Sequence, residues 1–304
     1  MCQPKTDGGF KSNYYIVEAR CTVPIAKGEN AMSKITNIEE LKEISKNIII
    51  NIVEQIYSAQ SGHPGGSLSI ADVLTILYFN QMEINPENPK DEGRDRFILS
   101  KGHASAALYA VLAEKGYFPR EDLKTFIKLD SYLQGHPDMK KIPGVDMTTG
   151  SLGQGLSAAN GMALMSKLDK KNTRVYCLVG DGEIEEGQIW EAAMTSSHYN
   201  LDNLCLIVDN NNLQIDGTID KVMNSYPIDE KFKSFGFNVI NIDGHDYKQI
   251  INAFEQAKQC KEKPTAIIAK TIKAKVISFM ESQVGWHGKA QNEEEYINAI
   301  SQLK

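Results

Sequence analysis

Asp181 and Asn211 are the residues whose types and spacing point most directly to chemistry. Asp181 lies between Gly180 and Gly182 at the end of the apolar run Val175–Val179. Asn211 follows the apolar run Leu204–Asp209, thirty positions after Asp181, with a helical segment at Gln188–Tyr199 between the two runs. Strand, helix and strand of that length make a βαβ unit, whose parallel strands return both residues to one carboxyl edge of a sheet. Open α/β sheets bind their ligands at that edge. A carboxylate, an amide oxygen and the backbone carbonyl of Leu213 would offer three oxygens to a hard divalent ion. Two diphosphate oxygens and a water would complete the octahedron that Mg²⁺ prefers.

Five of the six histidines adjoin a glycine: His63, His103, His136, His245 and His287. Imidazole donates or accepts a proton near neutral pH, and glycine lets the backbone approach a ligand closely. His198, within the segment Gln188–Tyr199, has the features of an ordinary surface or core histidine. Glu183, Glu185 and Glu186 precede that same helix, where acidic side chains meet the positive helix end.

These residues need elements to position them. From Asn37 the run IEELKEISKNIIINIVEQIYSA has helical spacing, with Asn37 as the cap. Ser69–Phe79, Ala104–Lys115, Leu156–Leu168 and Tyr247–Gln259 read as further helices. The first two follow glycine-bearing loops that hold a histidine, which places those loops at helix amino termini suited to an anion. Val175–Val179, Leu204–Asp209, Asn238–Ile242 and Thr265–Lys270 are short apolar runs bounded by turns. Their alternation with helices predicts an α/β fold with a mostly parallel sheet covered on both faces. Residues 1–32 show no periodic apolar face and read as a flexible or artefactual extension, leaving 33–304 as one domain.

The 304 residues are 41% hydrophobic and 24% charged, as in a globular chain with a substantial core. A net charge of -6 with scattered lysines argues against nucleic-acid and membrane-surface partners. The lack of a long apolar run and of a secretory leader pattern makes the cytoplasm the expected location. The five cysteines show no C-x-x-C spacing, and Cys177 and Cys205 lie in apolar strands as small hydrophobes.

Gly180-Asp181-Gly182 with Asn210-Asn211 resembles the thiamine diphosphate signature, and the surrounding sequence resembles transketolase. Further blocks follow in that family's order: Ser61-Gly62-His63-Pro64-Gly65-Gly66, Asp95 to His103, Gly135-His136-Pro137, Thr148 to Gly155 and Trp286-His287-Gly288. They cover the chain from about Ile35 to its end. The resemblance implies a three-layer α/β/α thiamine diphosphate-binding fold, with thiamine diphosphate and Mg²⁺ as cofactors. Asp181, Asn211 and Leu213 would hold the metal, with Gly182 beside it. His103 would bind the diphosphate, and Gly150, Ser151 and Leu152 would meet the aminopyrimidine ring. His63 and His287 would handle substrate and proton transfer next to the cofactor, and His136 the ketose hydroxyls. Glu186 matches a carboxylate in a network between neighbouring cofactor sites.

This chain departs from many relatives before His287, where Ala274 and Val276 replace glycines. It also lacks the pyrimidine-binding half, which supplies the glutamate that activates the cofactor and most of the sugar-phosphate contacts. The resemblance therefore implies the amino-terminal subunit of a split transketolase. It would act on sugar phosphates with a carboxy-terminal subunit in an α₂β₂ assembly. Alternatives are a subunit of another thiamine diphosphate enzyme, such as a 2-oxoacid dehydrogenase α chain or a deoxyxylulose phosphate synthase-like protein, and a non-catalytic thiamine diphosphate-binding subunit.

Overall fold

A computed structural model describes residues 34–304. The extension expected at 1–32 lies outside the described residues. The strands are β1 (Arg96–Leu99), β2 (Val175–Gly180), β3 (Leu204–Asn210), β4 (Leu213–Gln214), β5 (Gly217–Thr218), β6 (Asn238–Asp243) and β7 (Thr265–Lys270). The first helices are α1 (Ile38–Ala59), α2 (Pro64–Leu68), α3 (Ala71–Ile76), α4 (Ser105–Lys115) and α5 (Gly155–Leu168). They are followed by α6 (Gly187–His198), α7 (Ile219–Val222), α8 (Ile228–Ser234), α9 (Tyr247–Gln259) and α10 (Glu293–Gln302).

Five strands form one sheet in the order β1-β2-β3-β7-β6, with every pairing parallel. The side-chain period of two then divides the core. Tyr176, Leu178, Cys205, Ile207 and Ile267 join a cluster with α1, α3, α4 and α9 on one face. Val175, Cys177, Val179, Leu206 and Val208 join α5, α6 and α8 on the other. The α/β architecture with a parallel sheet, as read from the sequence, is the one found. Cys177 and Cys205 are buried thiols.

Helix α1 shows how local sequence commits to this plan. The Asn37 side chain accepts from the N–H groups of Glu39 and Glu40 at 2.9 and 3.4 Å, satisfying donors that the first turn leaves free. Leu41, Ile48, Ile52 and Ile56 then recur on one buried face. Truncating one of them, as in Ile52→Ala, is expected to cost about 2–5 kcal/mol.

The segment Ser69–Phe79 is not one helix. Pro64, favoured at a first helical position, starts α2 five residues earlier. The chain breaks after Leu68, resumes as α3 and widens into a π turn at Leu77–Gln81. The Ser69 hydroxyl anchors the break 2.7 Å from Oδ2 of Asp209. Strand β1, too short at four residues to show periodicity, was legible in the sequence only as part of a motif. Among the described residues no helix is long and apolar enough to cross a membrane.

Candidate functional site

All five strands of the main sheet deliver chemically competent residues at their carboxyl ends. Lys101 follows β1, Asp181 follows β2, Asn211 follows β3, Lys273 follows β7 and His245 follows β6. Parallel pairing forces this, because every carboxyl end lies on the same edge.

Asp181 is 2% exposed. Its Oδ1 accepts from Gly182 N–H at 3.0 Å and its Oδ2 from Asn212 N–H at 2.6 Å. Burial first, and then the nearby Asp209 carboxylate, push its pKa up to about 7. The Asn211 Nδ2 donates to Asp209 Oδ2 at 3.0 Å, and its Oδ1 accepts from Leu213 N–H at 3.1 Å. A carboxylate only accepts and a backbone N–H only donates, so these partners settle which way the amide points. Asp181, Asn211 and Leu213 thus share one hydrogen-bonded turn, at the base of the β4–β5 hairpin.

Among the described residues no three His, Cys, Asp or Glu side chains converge as a self-sufficient metal site. A hard cation here would meet one carboxylate, an amide oxygen and backbone oxygen, and would need further oxygens from a bound anion. The buried Asp181 beside a second carboxylate fits that arrangement, since a divalent ion would neutralise a charge that burial disfavours.

His63, His103 and His287 form a triangle, with ring centroids 5.1, 5.3 and 5.4 Å apart. Burial, then the charge of Lys101 and the other histidines, pushes His103 down to about 2. Burial, Lys273 and His63 push His287 down to about 4. His63 is lowered by burial, then by His136 and Lys273. The cluster is neutral at pH 7, which leaves each ring one lone pair and one N–H for a polar ligand. His136 is exposed at its rim, where a Cβ on Gly150 would lie 3.2 Å from its ring. Gly150, Ser151 and Leu152 are exposed beside it. The structure therefore brings together the four histidines singled out by motif. His198 instead packs edge-on against Tyr199 at 4.8 Å.

Two buried groups escaped the sequence reading, and a third takes a different place from the one expected. Lys101 Nζ donates to Asp209 Oδ2 at 2.6 Å and to the Gly66 carbonyl at 2.7 Å. Burial opposes ionisation of Asp209, but Lys101 and hydroxyl donors hold its pKa below the usual carboxylate value. Lys273, 2% exposed, lies 3.3 Å from Nδ1 of His287, and burial followed by repulsion from Lys101 lowers its pKa to about 8. Lys101 stood inside the Ser100-Lys101-Gly102-His103 motif, which was a usable signal. Lys273 lay in a lysine-bearing run without pattern.

The third group is Glu183, whose expected place beside its two acidic neighbours at a helix amino terminus is corrected. Its carboxylate turns inward, 3% exposed, and accepts from Gly153 N–H at 2.9 Å and Gly180 N–H at 3.1 Å. The Ser100 hydroxyl is a third donor to it. One carboxylate so ties three loops that reach the site. Glycine is required where they meet, because a Cβ on Gly102 would fall 2.6 Å from Thr149 Oγ1 and one on Gly155 2.4 Å from Ser100. Glu186, by contrast, is exposed at the start of α6 and makes no capping hydrogen bond with its side chain.

Residues 41–303 match the family model described as transketolase, thiamine diphosphate binding domain. The chain is 47% identical over 252 residues to a 6-deoxy-6-sulfo-D-fructose transketolase subunit of Clostridium sp. (strain MSTE9), covering 83% of this chain and 92% of that protein. It is 41% identical over 266 residues to an apulose-4-phosphate transketolase subunit of Phocaeicola vulgatus, covering 88% and 94%. The crystal structure of Campylobacter jejuni transketolase superposes with a TM-score of 0.83 at 38% identity, over 88% of this chain and 43% of that one. The chain thus spans nearly all of two relatives named as subunits and under half of a longer transketolase. It belongs to the transketolase family and carries that family's thiamine diphosphate binding domain.

Proposed function

We propose that this chain is the amino-terminal subunit of a two-subunit transketolase. With thiamine diphosphate and Mg²⁺ it would transfer a two-carbon ketol unit from a ketose phosphate to an aldose phosphate. The observation that carries the reading is the convergence, on one sheet edge, of a metal-competent turn at Asp181–Leu213 with the neutral triangle of His63, His103 and His287. A binding-only protein has no use for three additional proton-handling groups.

Bound thiamine diphosphate supplies the carbanion-stabilising chemistry. The residues of this chain bind, orient and manage protons. Asp181, Asn211 and the Leu213 carbonyl hold Mg²⁺, with Gly182 leaving room for the diphosphate and His103 donating to it. Gly150, Ser151 and Leu152 line the aminopyrimidine ring. His63 and His287 exchange protons with the substrate hydroxyls, and His136 holds the ketose from the rim. Glu186 contributes to a network reaching a neighbouring site.

The chain lengths support a carboxy-terminal partner that carries the pyrimidine-binding half, in a cytoplasmic α₂β₂ assembly of sugar-phosphate metabolism such as the pentose phosphate pathway. The two relatives named as subunits carry the names of ketoses with a sulfo or phosphate group, which supports a donor with an anionic end. Co-expression with a carboxy-terminal transketolase chain should yield a complex that transfers ketol groups from xylulose 5-phosphate to ribose 5-phosphate only with thiamine diphosphate and Mg²⁺. The same turnover by the purified chain alone would overturn the two-subunit reading. Pyruvate consumption by the complex would favour another thiamine diphosphate enzyme.

A further inference from the structure

His245 is the one glycine-adjacent histidine that lies outside the cluster, yet both of its ring nitrogens are engaged. Nδ1 lies 2.9 Å from Oδ2 of Asp72, and Nε2 accepts from the backbone N–H of Ile272 at 2.9 Å. An amide N–H can only donate, so Nε2 carries the lone pair and the proton of the neutral ring sits on Nδ1, donated to Asp72. The other oxygen of Asp72 accepts from the hydroxyls of Tyr247 and Ser45 at 2.6 and 2.8 Å. The carboxylate is thus held by α1 and α9 as well as by its own helix, α3. The imidazole bridges that packed face to the turn after β7.

The turn is what the site depends on. Thr271 N–H donates to the Asn210 carbonyl at 3.1 Å, and the Thr271 hydroxyl donates to Asp209. Lys273, on the other side of Ile272, places its ammonium beside His287. Resting on the transketolase reading above, we propose that His245 is a positioning residue for ketol transfer. It acts through the Ile272 amide to set where Lys273 meets His287.

The test compares two isosteric replacements in the assembled enzyme. The terminal amide of His245→Gln reaches the former Nε2 position and its oxygen can accept from Ile272, whereas that of His245→Asn reaches only the former Nδ1 position, toward Asp72. Asparagine should lower kcat by about 10- to 100-fold, the scale expected for a misplaced group. KM for the ketose and the cofactor Kd should stay within about threefold, and glutamine should restore most of kcat. Hydrogen exchange of segment 271–274 supplies a readout independent of activity, with protection lost in His245→Asn and kept in His245→Gln. Equal kcat and equal exchange in the two variants would overturn the proposal. A wild-type complex without ketol transfer would instead sink the transketolase reading, while the exchange comparison would still decide whether His245 holds the turn.

Discussion

Nζ of Lys101 lies 2.6 Å from Oδ2 of Asp209, with the two side chains 3% and 1% exposed. Asp209 also accepts from the hydroxyls of Ser69 and Thr271 and from Nδ2 of Asn211. The pair therefore ties the ends of β1, β3 and β7 together beneath a metal-competent amide. Breaking a buried pair from one side strands a charge, at a cost of about 3–5 kcal/mol. Lys101→Met and Asp209→Asn should each destabilise the chain on that scale in urea titrations. The double variant Lys101→Met/Asp209→Asn should cost well under the sum, and strict additivity would show that the pair is not coupled. Asp209→Asn should also weaken Mg²⁺-dependent cofactor binding, through Asn211.

Cofactor and substrate roles within the histidine triangle separate by kinetics. His103→Ala should raise the Kd of thiamine diphosphate by about tenfold or more, the scale of one lost hydrogen bond to a charged group. His63→Ala should lower kcat and kcat/KM together by about 100-fold with cofactor still bound, as expected for a lost general acid or base. Calorimetry and steady-state rates on the assembled enzyme distinguish the two. A His63→Ala enzyme with wild-type kinetics would return that residue to a structural role.

The same triangle makes stability fall in acid. The folded pKa values of His103 and His287 lie below the ordinary 6.5, at about 2 and about 4. Between pH 6.5 and pH 4 the unfolded chain thus binds more protons than the folded one. The stabilisation is complete above pH 6.5 and is lost as pH falls. The slope is about 1 kcal/mol per pH unit for the better-buried His103, and less for the more solvated His63 and His287. Asp181, raised to about 7, acts in the opposite sense, its contribution fading as pH rises toward 7. Comparing thermal midpoints at pH 5 and pH 7.5 for wild type and His103→Asn isolates the histidine contribution. An unchanged difference would show that His103 is protonated in the fold.

Ala274 and Val276, neither of them glycine, adopt φ of 60° and 82°. The left-handed region costs a non-glycine residue about 1–3 kcal/mol, and a β-branched side chain is especially disfavoured there. Val276 is 38% exposed, so little burial offsets that cost. Val276→Gly should stabilise by about 1 kcal/mol net, after the extra backbone entropy that glycine loses on folding. Its N–H can still donate to Glu281 Oε1, as it does at 2.8 Å. A lower melting temperature for the variant would show that the valine side chain contributes more than its backbone strain costs.

Much of this site was written in local sequence. Apolar runs alternating with helical periods specified parallel strands, parallel strands specified a common carboxyl edge, and residues at the strand ends had no other place to go. That logic located Asp181 and Asn211, and short glycine-bearing motifs located His63, His103, His136 and His287. Lys273, Glu183 and the Asp72–His245 bridge were decided only by the tertiary fold. A lysine becomes a neighbour of His287 through burial, and a glutamate turns inward when three loops aim donors at one point. An imidazole selects its tautomer from an amide 27 residues away. Such contacts leave no periodicity along the chain, because they depend on which surfaces close over them.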